Sequence, residues 1–196
     1  MPLGRNPDRL HNKPMKILLV SPESCVWNSR THIHNGLGYL AGALIHAGYH
    51  AVDIFDGAVE RESLAERLAR EPFDIVGISS PTPLIHAAWQ AAQTAKAHGA
   101  QTILGGPHPT LMPDESLQQP AVDFVARGEA EETLIEFVRA LEARTPVSQI
   151  RGLSYRDAAG QVQHNLPRPL CADLNRIASP AYPLAIARRA QGLTAK

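Results

Sequence analysis

Short apolar runs alternate with amphipathic segments along most of the chain. Ile17-Leu18-Leu19-Val20, preceded by Lys16 and bounded by Pro14 and Ser21-Pro22, predicts a strand covered on both faces. The signal recurs at Ala51–Phe55, Asp74–Ile78, Gln101–Leu104 and Asp123–Ala126. Between these runs, Leu37, Leu40, Ala41, Leu44 and Ile45 form one stripe of a helix over Leu37–Ala47 that stops at Gly48. Further helices are predicted over Glu60–Arg70, Leu84–His98, around Pro113–Gln119, and over Ala130–Ala143, where Leu134, Val138 and Leu141 recur at helical spacing.

Strands alternating with helices predict an α/β fold, a doubly wound (Rossmann or flavodoxin-like) five-stranded parallel sheet of order 2-1-3-4-5. The third run ends in Ser79-Ser80-Pro81-Thr82 and the fourth in Gly105-Gly106-Pro107-His108-Pro109-Thr110. A strand–helix–strand unit of this length makes those strands parallel neighbours, so both clusters reach one sheet edge, where open α/β sheets bind ligands. Glycines there let a group approach the backbone, and hydroxyls supply polar atoms without bulk. Either cluster alone is ordinary turn chemistry; two on adjacent strands favour a site. The long loop Glu23–Gly36, with Cys25, Trp27, Asn28, Arg30, His32 and His34, opens at the same edge. Residues 15–146 read as the domain, 1–14 as a disordered leader, 147–166 as a hairpin extension, and 167–196 as a Pro- and Arg-rich tail or linker.

Composition narrows the function classes. Lys plus Arg balances Asp plus Glu at 19 each, and aromatics make up 5%, which argues against a nucleic-acid partner. No run is long enough for a membrane span, and the polar start lacks a signal peptide's apolar core. Cys25 and Cys171 belong to no cluster or zinc pattern and read as free thiols of a cytoplasmic protein. Asp53 and Asp56 end the second strand as a ribose-binding acid would, but no G-x-G-x-x-G follows the first strand. Spacing supports no Ser-His-Asp or Cys-His constellation.

The strings Gly36-Leu37-Gly38-Tyr39-Leu40-Ala41, Phe73-Asp74-Ile75-Val76-Gly77-Ile78-Ser79, Gly105-Gly106-Pro107-His108 and Gly128-Glu129-Ala130-Glu131-Glu132-Thr133, in this order, resemble the cobalamin-binding domain at the N-terminus of many radical S-adenosylmethionine enzymes. The later Ile150–Arg156 segment and Pro180-Ala181 resemble the bridge from that domain to the catalytic barrel. The resemblance implies cobalamin as cofactor, with the corrin ring across the strand tips and the nucleotide tail between strands. Its contacts would be Thr31, His32, Ile33, His34, Gly36 and Leu37 from the first loop and helix, and Ser79, Ser80 and Thr82 after the third strand. Gly105, Gly106, Pro107 and His108 after the fourth, and Gly128 and Glu129 after the fifth, would complete the site. His108 would meet a corrin amide or phosphate, or cap a turn. Trp27 would cover the corrin or anchor its loop.

Two departures qualify what is implied. Cobalamin domains of the methionine synthase type carry Asp-x-His-x-x-Gly before the first helix, with the His below cobalt; here Thr31 and Ile33 hold those places. His32 and His34 flank the position as candidate metal ligands. The chain to Lys196 also contains no three-cysteine cluster motif, so alone it is not expected to generate a radical. The expected role is a cobalamin carrier presenting the corrinoid to a partner such as a radical S-adenosylmethionine catalytic domain or subunit, with methyl transfer as the chemistry. A cobalamin-dependent sensor, or a flavodoxin- or receiver-like nucleotide-binding domain, are the alternatives.

Overall fold

A computed structural model of the chain describes residues 14–23 and 34–184. Its strands are β1 (Ile17–Ser21), β2 (Val52–Asp56), β3 (Ile75–Ser79), β4 (Gln101–Gly105), β5 (Phe124–Ala126), β6 (Leu153–Arg156) and β7 (Val162–His164). They form one sheet of order 2-1-3-4-5-6-7. The first five are parallel, as the βα alternation predicts. The expectation of a five-stranded sheet with a separate hairpin is corrected: β6 and β7 pair antiparallel and extend the sheet beyond β5 to seven strands. β5 spans only three residues, and the hairpin covers what would otherwise be an open edge of unpaired backbone groups.

Helices cover both faces. Strand residues alternate between them, so Leu18, Val20, Val76, Ile78, Leu104 and Val125 pack with α2 (Leu64–Arg70), α3 (Ile85–Ala97) and α5 (Pro113–Leu117). Ile17, Leu19, Ile75 and Ile103 pack on the other face with α1 (Asn35–His46) and α6 (Glu131–Ala143). α2 starts later than predicted because Ser63 and Glu66 form a reciprocal capping box. A 3-10 turn at Thr82–Leu84 precedes α3. The Gly-Gly-Pro-His-Pro stretch, expected to be turn, contains a short helix α4 (Pro107–Leu111), with proline at its first position, where no N–H is needed. No helix among the described residues is long and apolar enough to cross a membrane.

Two arginines tie the C-terminal part to α5 and α6. Arg156 of β6 donates to the backbone oxygens of Leu117 and, at 2.7 Å, Val122, which satisfies carbonyls at and beyond the end of α5. Arg168 donates from Nε to Thr133 Oγ1 at 2.9 Å, from Nη1 to Glu132 at 2.9 Å and from Nη2 to Glu136 at 2.5 Å. The described part of the predicted tail then returns to α1, where Ala181 N–H donates to Gly38 O at 2.8 Å. A Cβ on Gly42 would stand 2.2 Å from Ser179 O, so the helix needs glycine there for the backbones to meet. Cys171 is an exposed free thiol; Cys25 lies outside the described residues.

Candidate functional site

Small residues accumulate where the α1/α6 face of the sheet approaches its C-terminal edge. The register aligns Leu19, Gly77 and Ile103 in one row and Ser79 with Gly105 in the next row towards the edge. With no side chain at Gly77 or Gly105, and only a methyl at Ala126, the sheet surface drops away beneath the first turns of α1 and α6. The result is a crevice of about 370 Å³, its solvent-filled mouth included. Leu37 and Leu40 of α1 wall one side, and Leu134 of α6 with Ala130 before it the other. Leu19 and Ile103 limit the floor.

The expected site residues divide between this crevice and its surroundings. Leu37, Ser79, Gly105 and Gly106 line it. The Ser79 hydroxyl is the only polar side chain on its walls among the described residues and has no hydrogen-bond partner among them. Gly106 adopts φ +93°, and a Cβ there would come within 3.0 Å of both Ser79 Oγ and Ser80 N. Glycine is therefore required both by conformation and by this close approach.

Ser80, Thr82, Pro107 and His108 do not line the crevice. Ser80 is fully buried; its N–H donates to Gly105 O at 3.0 Å and its hydroxyl to Pro81 O at 3.0 Å. His108 is 6% exposed, with Nδ1 3.3 Å from the Thr82 hydroxyl. Its Nε2 lies 3.2 Å from Glu115 Oε2, within ion-pair range but without hydrogen-bond alignment. These contacts place His108 between α4, Glu115 of α5 and the turn before α3. Gly128 is exposed at φ +75° and donates its N–H to Thr110 Oγ1 at 3.0 Å, joining the turn after β5 to α4. Glu129 is exposed directly before the wall residue Ala130.

At the other side of the mouth, His34 caps α1: its Nδ1 accepts from Leu37 N–H at 3.2 Å, and Gly36 follows in the first turn. The cap occupies the Nδ1 lone pair, so that nitrogen is not offered to a metal. Thr31, His32 and Ile33 lie outside the described residues, as does Trp27. No group of three or more His, Cys, Asp or Glu side chains among the described residues could hold a metal ion.

Burial, reinforced by the neighbouring carboxylates Glu129 and Glu132, holds the Glu131 carboxyl above the usual glutamate range. Next to β5, burial lowers the Arg127 guanidinium, which donates to Asn165 O.

The model of the B12 binding domain family matches residues 29–138, which include every crevice wall except Leu19. The chain belongs to the B12-binding domain family. Its cofactor is cobalamin. This B12-binding domain is 36% identical over 182 residues to an uncharacterized methyltransferase of Pyrococcus horikoshii, covering 88% of this chain and 39% of that protein. It is 34% identical over 150 residues to an anaerobic magnesium-protoporphyrin IX monomethyl ester cyclase of Cereibacter sphaeroides, covering 72% of this chain and 24% of that protein. The chain thus spans well under half the length of these relatives. Among solved structures, the cobalamin-dependent S-adenosylmethionine radical enzyme OxsB with aqua-cobalamin bound shares the fold at TM-score 0.76 and 18% identity, over 90% of this chain and 25% of that one. The radical S-adenosylmethionine methyltransferase TsrM of Kitasatospora setae, with cobalamin and a [4Fe-4S] cluster, does so at TM-score 0.69 and 20% identity, over 88% and 32%.

The crevice of the B12-binding domain fits a corrinoid's nucleotide tail in kind. It is narrow, walled by hydrocarbon and open at the strand tips, with a hydroxyl near the mouth. Sequence reasoning found its rim, Ser79, Gly105 and Gly106, but not its floor, Leu19, Gly77 and Ile103, nor its walls Leu40 and Leu134. The available signal for the floor was Gly77 inside an otherwise Ile/Val strand, since glycine weakens a strand and marks a place where another group approaches.

Proposed function

We propose that this domain holds cobalamin with the nucleotide tail in the α1/α6 crevice and presents the corrinoid at the strand tips to a catalytic partner domain or subunit for methyl transfer. The observation that carries the reading is the crevice itself, whose depth comes from Gly77 and Gly105 and whose hydroxyl comes from Ser79. Bound cobalamin would supply a cobalt centre able to carry a methyl group, and the protein would bind and orient it. Leu37, Leu40 and Leu134 would shield the tail from water. Ser79 would donate a hydrogen bond to it, and Gly106 would keep the backbone low beneath it. Gly36, Gly128 and Glu129 would border the ring. Methyl transfer is favoured by the methyltransferase names of relatives, including a cytidylyl-2-hydroxyethylphosphonate methyltransferase of Streptomyces wedmorensis, 26% identical over 185 residues.

The test is to load the protein with hydroxocobalamin, separate free ligand by gel filtration and measure corrinoid per protein. Near-stoichiometric retention is expected, and Ser79→Leu should reduce it sharply. A protein peak free of corrin would overturn the reading.

A further inference from the structure

Resting on that reading, we infer that the crevice selects among corrinoids by the base at the end of the nucleotide tail: it accepts an apolar bicyclic base of the benzimidazole type and rejects a purine. Natural corrinoids share the ring and differ in this base, so the wall chemistry decides which of them a tail-binding domain retains.

The inference follows from the polar groups that the crevice offers. Leu19, Leu37, Leu40, Ile103 and Leu134 present only hydrocarbon, and Gly77, Gly105 and Ala126 present backbone or a methyl group. The backbone of the floor is engaged in the parallel ladders of β1, β3 and β4, and Gly105 O accepts from Ser80 N–H at 3.0 Å. Among the described residues, Ser79 Oγ is then the sole side-chain polar partner. A glycosylated benzimidazole carries one ring nitrogen able to accept a hydrogen bond, and one hydroxyl satisfies it. A purine adds further ring nitrogens and, in adenine, an exocyclic amine. Each would lose water on entry and find no side-chain partner among the described wall residues, and an unpaired buried polar group lowers affinity by about tenfold or more.

The position of Gly77 sharpens the selection. A Cβ there would stand 3.0 Å from Leu19 Cδ2 and 3.8 Å from Ile103 Cγ2. The floor at Gly77 is therefore bordered by the Leu19 and Ile103 methyl groups, which offer the edge of a base no hydrogen bond.

The experiment compares three ligands on the unmodified protein by equilibrium titration of intrinsic fluorescence: hydroxocobalamin, its analogue with adenine as lower base, and cobinamide, which has no nucleotide tail. The expected order is cobalamin tightest by about tenfold or more, with the adenine analogue no tighter than cobinamide. Equal binding of cobalamin and the adenine analogue, both above cobinamide, would overturn the selection while leaving the tail in the crevice. Equal binding of all three would overturn the tail placement as well. Binding of none would overturn the cofactor-holding function on which the inference rests.

Discussion

Gly77 and Leu19 sit side by side on β3 and β1, and a Cβ added to the glycine would come within 3.0 Å of the Leu19 Cδ2 methyl. That pairing sets the depth of the crevice. Gly77→Ala should leave the protein folded at a cost of about 1–3 kcal/mol from overpacking. It should also weaken cobalamin binding while affecting cobinamide little. Thermal unfolding and parallel titrations with the two corrinoids separate the effects; equal losses for both ligands would remove Gly77 from tail binding.

Gly42 and Ser179 test the return of the C-terminal segment to α1. A side chain at position 42 would run into the Ser179 carbonyl, yet alanine or leucine favours a helix over glycine by up to about 1 kcal/mol. Gly42→Leu should therefore leave the far-UV circular dichroism intact while raising amide exchange over residues 179–184. Unchanged exchange there would contradict the docking.

Arg156 should matter for stability and not for ligand. Arg156→Met removes donors from the carbonyls of Leu117 and Val122 at and beyond the end of α5. A loss of about 2–3 kcal/mol is expected, in the range of charge-assisted hydrogen bonds, with cobalamin affinity unchanged. Urea unfolding and a binding titration measure the two.

Glu131 gives a pH dependence whose sign is fixed by the direction of its shift. Burial raises its carboxyl above the unfolded value, so the folded state binds the proton more tightly. Its contribution is fully present below the unfolded pKa, near 4.5, and is lost as pH rises through the folded value. Glu131→Gln should melt higher than the parent at pH 7, and the difference should shrink to nothing below about pH 4. A variant less stable than the parent at pH 7 would reverse the assignment.

The parallel order 2-1-3-4-5 was readable because each of its strands is a bounded apolar run and each crossover is a helix with one apolar stripe. The rim of the site was readable because Ser79 and Gly105-Gly106 close adjacent strands. The crevice was less so. Its walls are Leu and Ile residues that look like ordinary core, and only their register with Gly77 leaves space between them. The attachment of the hairpin rests on the pairing of Phe124–Ala126 with residues 153–155, about thirty positions away, which no local pattern discloses. Arg156 and Arg168 act on partners more than thirty residues away in sequence, a separation that no local pattern encodes. The docked tail had a quiet signal, Gly38 and Gly42 one helical turn apart on α1.

The visible spectrum of hydroxocobalamin retained by the protein at neutral pH tests the central claim most directly. A tail lodged between α1 and α6 draws its base away from cobalt, so the account predicts a base-off spectrum for the bound corrinoid. A retained corrinoid with the base-on spectrum of the free ligand would contradict it, because the tail would then remain folded under the ring and the crevice beside Gly77 would play no part in binding.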